Sequence, residues 1–192
     1  VNAENDSPDG FALLSPDSGS VVQGFEHYLI WLPSMDLDGD TLEYEVFFND
    51  QSIGATNHNY MEVRDLMDDA TYEWYVIASD GIGGITTSET WTFTVNAENN
   101  SPSEFSLLSP SDEALFTSTG ITFNWQRSFD VDIYDSVAYS LHIQSEDTNM
   151  VIETGDTSLY VEDFADNQIY HWSVVAHDLN SGTTSNAGGS RM

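Results

Sequence analysis

The chain has no cysteine and no lysine, and only Arg64, Arg127 and Arg191 oppose 33 Asp and Glu side chains, for a formal net charge of -30. Without cysteine, neither disulfides nor thiolate metal sites form, and the redox compartment cannot be read from the sequence. Without lysine, Lys–Asn isopeptide staples are excluded. Nucleic acid is excluded as a partner, because no cationic surface exists to displace counterions from phosphates. An anionic membrane is excluded for the same reason. No run is long and apolar enough for a membrane-spanning helix. No leader peptide is recognisable, which is uninformative because a secreted protein loses it. What remains is 40% hydrophobic and 12% aromatic residues, enough for packed cores rather than disorder. An acidic surface suits a medium rich in salt or calcium, where cations screen the self-repulsion.

The strongest signal is self-similarity at domain length. Val1-Asn2-Ala3-Glu4-Asn5-Asp6-Ser7-Pro8 recurs as Val95-Asn96-Ala97-Glu98-Asn99-Asn100-Ser101-Pro102, an offset of 94. The same offset carries Phe11-Ala12-Leu13-Leu14-Ser15-Pro16 onto Phe105-Ser106-Leu107-Leu108-Ser109-Pro110, and Trp31 onto Trp125. An offset of 98 then carries Tyr72, Trp74, Val76, Ala78 and Asp80 onto Tyr170, Trp172, Val174, Ala176 and Asp178. The added residues belong in intervening loops, where insertions are tolerated. Two domains follow, residues 1–98 and 99–192.

Within each copy the pattern is that of strands. Tyr72, Trp74, Val76 and Ala78 share one face by period-two alternation, and Trp91-Thr92-Phe93-Thr94-Val95 and Leu42-Glu43-Tyr44-Glu45-Val46 alternate likewise. Asp-Gly, Ser-Pro and Gly-Gly turn signals between short strands predict antiparallel sandwiches rather than βαβ units. The fold class is all-β, two tandem immunoglobulin-like sandwiches. Trp31, Trp74, Trp91, Trp125, Trp172, Tyr72 and Tyr170 are expected on inward faces.

Leu66, Tyr72, Trp74, Val76 and Ala78, echoed by Phe164, Tyr170, Trp172, Val174 and Ala176, resemble the E–F corner and strand F of fibronectin type III domains. Leu29-x-Trp31 and Phe123-x-Trp125 resemble the strand B tryptophan of that family. Asp36-x-Asp38-Gly39-Asp40-Thr41-Leu42-x-Tyr44 resembles the B–C loop and strand C of its bacterial surface versions. The resemblance covers almost the whole chain. It implies a fold and not a function, since this fold hosts many roles. One departure stands out. The first copy ends in a good final strand, whereas Thr183-Thr184-Ser185-Asn186-Ala187-Gly188-Gly189-Ser190-Arg191-Met192 lacks apolar alternation. Val1 in turn falls where the last strand of a preceding copy would end. Two expectations follow: a piece of a longer array, or a subunit completed by a neighbour's strand.

The candidate site is acidic. Asp36, Asp38 and Asp40 correspond to Asp130 and Asp132, with Asp135 one residue beyond the match to Asp40, and each copy adds an aspartate after strand F, Asp80 or Asp178. The topology predicts the B–C and F–G loops beside the incoming chain, and the E–F loop with Asp65, Asp68 and Asp69 beside the outgoing one. Linker residues Glu98 and Asn100 lie between. This is similar to cadherin junctions, and the similarity implies that Asp68, Asp69, Glu98, Asn100, Asp130, Asp132 and Asp178 share Ca²⁺. Calcium takes 6–8 oxygen ligands and favours such groups. Equally, Asp-x-Asp-Gly-Asp is ordinary turn chemistry.

No enzyme is expected. None of the five histidines shows zinc-ligand spacing with a third partner, and no Gly-x-Ser-x-Gly elbow is present. Phe47, Tyr75 and Ile77 would share an outward face able to hold a sugar ring or a protein; the second copy is more polar there. Asn5-x-Ser7 and Asn99-x-Ser101 match glycosylation acceptors, which matter only in a eukaryotic secretory setting. The functional expectation is an extracellular or cell-surface structural segment: a spacer, stalk, adhesin or filament subunit, stiffened by Ca²⁺ at its junctions. Its partners would be neighbouring repeats or other copies of the chain. The alternative is a non-catalytic accessory module of a secreted polysaccharide- or protein-degrading enzyme, binding carbohydrate or protein.

Overall fold

The computed structural model describes residues 4–192; Val1-Asn2-Ala3 of the repeated opening motif lie outside them. The chain divides into two compact units, Val1–Glu98 and Asn99–Met192. No helix occurs among the described residues. The first unit contains β1 (Leu13–Ser15), β2 (Ser20–Val22), β3 (His27–Trp31), β4 (Glu43–Phe48), β5 (Gln51–Thr56), β6 (Tyr60–Val63), β7 (Thr71–Ser79), β8 (Ile85–Thr87) and β9 (Trp91–Val95). The second contains β10 (Leu107–Ser109), β11 (Ile121–Trp125), β12 (Ala138–Gln144), β13 (Asn149–Thr154), β14 (Ser158–Val161), β15 (His171–His177) and β16 (Thr183–Ser185).

Each unit is a β-sandwich. In the first, β1-β3-β6 faces β2-β9-β7-β4-β5; in the second, β10-β11-β14 faces β13-β12-β15-β16. The strand after β4 or β12 stays beside it in the larger sheet, giving a fibronectin type III-like arrangement. Sequence pattern explains the layers. Along β7, Tyr72, Trp74, Val76 and Ala78 are buried while the residues between them are half-exposed. Along β15, Trp172, Val174 and Ala176 repeat this. The facing sheets add Leu29 and Trp31 in the first core and Phe123 and Trp125 in the second, and the neighbouring strands β4 and β12 add Tyr44 and Val46, and Tyr139 and Leu141. Trp91 and Tyr170, expected inside, pack at the margins and are only half-buried. Asn49 and Asp50 both take positive φ (48° and 61°), joining β4 to β5 by a two-residue turn of the twist hairpins favour.

The final strands differ. In the first unit β9 runs antiparallel to β7 and parallel to β2, and Phe93 and Val95 are fully buried. Burying each such side chain contributes about 1.5–3 kcal/mol. In the second unit β16 pairs with the far end of β15, as β8 pairs with β7. Beyond it Ala187 bridges in parallel to Ser106, and the bridge from Trp172 to Arg191 stands where Trp74 meets Trp91. The apolar alternation missing from the sequence is thus missing from the sheet, but the chain does return to the strand position.

Tyrosine hydroxyls tie loops to the cores. The Ser34 and Ser128 N–H groups donate to Tyr44 and Tyr139 at 2.9 and 2.8 Å, both in buried positions. The Met67 and Ala165 N–H groups donate to Tyr72 and Tyr170 at 2.7 and 3.0 Å, nearer solvent. A donor stranded away from water is penalised more than one that water can reach. Tyr139→Phe is therefore expected to destabilise by about 1–3 kcal/mol and Tyr72→Phe by about 0.5–1.5 kcal/mol, read from urea midpoints at unchanged slope.

Candidate functional site

Where the chain enters each sandwich it is fastened by carboxylates. In the first unit Asn5 Nδ2 donates to Asp80 Oδ2 at 2.7 Å, and the Asp6 N–H donates to Asp38 Oδ2 at 2.8 Å. In the second, Asn99 Nδ2 donates to Asp178 Oδ2 at 3.1 Å, and the Asn100 N–H donates to Asp132 Oδ2 at 2.7 Å. The B–C loops match too: the Asp38 and Asp132 N–H groups donate to Asp36 Oδ1 and Asp130 Oδ1, both at 2.9 Å. Such an Asx turn fixes the loop by local hydrogen bonding.

The F–G loops are wrapped on the aspartate that follows strand F. Asp80 Oδ1 accepts the N–H groups of Ile82, Gly83 and Gly84 at 2.8, 3.0 and 2.9 Å. Asp178 Oδ1 accepts those of Asn180 and Gly182 at 2.7 and 2.8 Å. Glycine is required at the close of each wrap. A Cβ on Gly84 would lie 2.1 Å from Asp80 Oδ2 and 2.9 Å from Ser7 Cα; on Gly182, 2.1 Å from Asp178 Oδ2 and 3.0 Å from Ser101 Cα. The wrap and the incoming chain therefore pack backbone to backbone. Asn5, Asn99, Gly84 and Gly182, which acid spacing does not single out, complete the fastening, and each pair recurs at the offset of its part of the repeat.

In the first unit, Asp36, Asp38 and Asp40 place one oxygen each within 4.8 Å of one another. The second unit has no third member: Tyr134 occupies the position of Asp40, and Asp135 turns to the F–G loop, accepting from Leu179 N at 3.0 Å and Asn180 Nδ2 at 3.1 Å. Asp36 Oδ2, Asp130 Oδ2 and Asp132 Oδ1 are buried with no hydrogen-bond partner, and Asp132 as a whole is 6% exposed. A dehydrated, unpaired carboxylate oxygen is unfavourable unless something cationic meets it.

The remaining predicted residues lie elsewhere in the first unit. Asp68 receives the outgoing chain, accepting from Ala97 N at 2.6 Å and Glu98 N at 3.3 Å. Asp69 is exposed in the same loop with a positive φ of 56°. Asp36, Asp38, Asp40 and Asp80 are thus gathered at the incoming end, apart from Asp68, Asp69 and Glu98. Phe47, Tyr75 and Ile77 are all half-buried on the outward face. Phe47 and Tyr75 stack on each other at 4.8 Å and 3°, half-buried, and the equivalent pair in the second unit is His142 and Ser173.

Electrostatics separate the acids into two kinds. Asp80 is held below the usual carboxylate range, first by the Asn5 hydrogen bond and then by the loop N–H groups. Burial pushes Asp178 upward, but the hydrogen bonds from Asn99 and the F–G backbone outweigh it and hold it low. Asp130 is raised by burial and by the negative charges of Asp132, Asp135 and Asp178, against a hydrogen bond from the Asp132 N–H. Asp40 is raised by burial and then by Asp36, Asp38 and Asp80. For a lowered carboxylate, stability is complete above the unfolded pKa and lost as pH falls through the folded one. For a raised one, the folded state is disfavoured above its folded pKa and relieved as pH falls through it toward the unfolded value. In EDTA at neutral pH, Asp178→Asn should therefore lower the melting temperature, the deficit shrinking as acid protonates Asp178 in the wild type. Asp130→Asn, which keeps an oxygen for the Asp132 N–H, should raise it. A rise with Asp178→Asn would contradict the assignment.

No family model matches the chain, and no curated protein matches it in sequence. Among solved structures, it is similar to the FN1–FN3 domains of chicken CNTN1, at 15% identity and a TM-score of 0.36 over 96% of this chain and 64% of that one. It is also similar to the fibronectin(III)-like modules of Clostridium thermocellum CbhA, at 14% identity and a TM-score of 0.42 over 92% of this chain and 91% of that one. The chain is a tandem pair of fibronectin type III-like sandwiches.

Proposed function

We propose that this chain is an extracellular structural repeat segment, a spacer or stalk whose modules are stiffened by Ca²⁺ bound where the chain enters each sandwich. The observation that carries the reading is that the cores and the carboxylate loops are repeated together. Selection for a catalytic site has no need of two copies of a loop fastening, whereas a rod built from modules needs one at every module. The net charge of -30 agrees with life in a cation-rich medium.

The chemistry favours a hard dication. Oxygens each 2.3–2.6 Å from one calcium ion lie at most about 5 Å apart, a limit that the Asp36, Asp38 and Asp40 oxygens respect. Orphaned oxygens on the matching Asp36 and Asp130, and on Asp132, supply further support. Backbone carbonyls and water would complete the shell. The ligands envisaged at each site come from a single module, so this reading does not rely on the shared junctional ion that the cadherin resemblance implies. Acidic residues with the same local fastening would serve any number of modules in series.

Calcium is expected to raise the melting temperature of the full chain relative to EDTA. A hundredfold excess over Kd adds about 2.7 kcal/mol, and roughly 4–8 °C accompanies each kcal/mol in a domain of this size. Asp36→Asn and Asp132→Asn together should remove the shift, and titration calorimetry should count one ion per module. A calcium scan superimposable on the EDTA scan sinks the cation reading. The structural reading has its own test: antibodies to either unit should label intact cells of the source organism, and confinement to the cell interior refutes it.

A further inference from the structure

Among the sheet edges of the two units, β5 and β13 are the long ones, six residues each; the others run to three or four. They hold equivalent places, each the outer partner of the strand before it, yet only one is interrupted. In β5 the register shifts between Val46 and Phe47, leaving Ile53 as an extra residue beside Gly54, whose φ is 134°. A bulge of this kind turns an edge away from further pairing. β13 has none. Its ladder with β12 runs unbroken from Gln144–Asn149 to Tyr139–Thr154, and the strand holds no proline, glycine or basic residue.

The hairpin decides which backbone groups this edge presents. The Ser145 N–H donates to the Thr148 carbonyl at 2.8 Å across the turn of Glu146 and Asp147. Bonded and non-bonded pairs alternate along an antiparallel ladder. Met150, Ile152 and Thr154 therefore bond to β12, and the N–H and C=O groups of Asn149, Val151 and Glu153 point away from it along the open edge. The side chains divide in the same way. Met150 and Ile152 pack against the core, whereas Val151 is 52% exposed. Glu153 is already engaged within the unit, accepting from Ser140 Oγ at 2.8 and 2.9 Å and meeting His177 Nε2 at 2.9 Å.

We propose that β13 is the self-association edge of this chain, pairing antiparallel with β13 of a second copy about a two-fold axis at Val151. One register engages every free position: Val151 faces the partner's Val151, and Asn149 faces the partner's Glu153. Each facing pair then exchanges both of its backbone hydrogen bonds. An axis at Glu153 instead would set that carboxylate against the partner's Glu153, a destabilising like-charge pair. With the axis at Val151 the Asn149 amide meets the carboxylate as a donor. Met150 meets the partner's Ile152, so the larger sheet and the apolar layer beneath it continue from one copy into the other. A two-fold contact of this kind closes at a pair. Charge sets the condition. The chain carries -30 overall, and Glu146 in the turn comes opposite the partner's Asp156. Salt screens both repulsions, so pairing belongs to a cation-rich medium and not to dilute buffer.

The test is sedimentation equilibrium of the full chain in EDTA, which separates the outcome from calcium binding. A monomer–dimer equilibrium is expected, with a dissociation constant of roughly 10–100 μM in about 0.5 M NaCl, weakened more than about tenfold in about 0.05 M NaCl. The amides of Asn149, Val151 and Glu153 should gain exchange protection as concentration rises. Val151→Pro removes a donor that the monomer leaves to solvent, so the dimer should be lost at an unchanged melting temperature. Asn149→Lys should tighten the dimer about threefold or more by facing the partner's Glu153, and adding Glu153→Gln should cancel that gain. A monomer at about 1 mM in high salt, a dimer that survives Val151→Pro, or association that runs on beyond a pair overturns the proposal. So does a gain from Asn149→Lys that Glu153→Gln leaves intact, which assigns the effect to net charge alone. If Val151→Pro lowers the melting temperature, Val151→Asp decides in its place: it sets two like charges across the axis with the edge N–H kept, and an undiminished dimer overturns the proposal.

Discussion

Both sandwiches depend on the backbone pairing of one strand, β7 in the first unit and β15 in the second. Each is central in the larger sheet, pairing with β4 or β12 on one side and with the final segment of its unit on the other. Its inward residues lie at the middle of the core, and a buried backbone cannot remain unpaired without a penalty comparable to a lost hydrogen bond. The two ends of this strand hold different neighbours. At its C-terminal end, Asp80 or Asp178 gathers the F–G loop and fastens the incoming chain. At its N-terminal end, β9 pairs with it in the first unit, and Arg191 bridges to Trp172 in the second.

The three arginines are engaged away from the B–C loop carboxylates. Arg64 pairs with Glu62 at 2.7 Å and Glu26 at 3.4 Å on the surface. Arg191 is spent on carbonyls, donating to Leu107 at 2.7 Å, Pro110 at 2.9 Å and Leu108 at 3.1 Å, and so pins the last residues against β10. Arg127 lies 5.2 Å over the ring of Phe129. Among the described residues, no arginine forms an ion pair with the B–C loop carboxylates. Hydrogen bonds from Asn5, Asn99 and loop backbone carry part of the neutralisation, which is why Asp80 and Asp178 titrate low while Asp40 and Asp130 titrate high.

Much of the fold was legible because its signals are local or strictly periodic. The offset between copies marks the repeat, and alternation at Trp74, Val76 and Ala78 marks the buried face. Trp91 and Tyr170 obey the same alternation yet sit half-buried, because alternation gives the face of a strand and not the depth at which the strand ends. Within the candidate site, the pairing of Asp36 with Asp38 was readable from spacing. The clamps by Asn5 and Asn99 were not, since they join positions 75 and 79 residues apart. Asp135 lies one residue beyond the match to Asp40, and that displacement turns its carboxylate to Leu179 and Asn180.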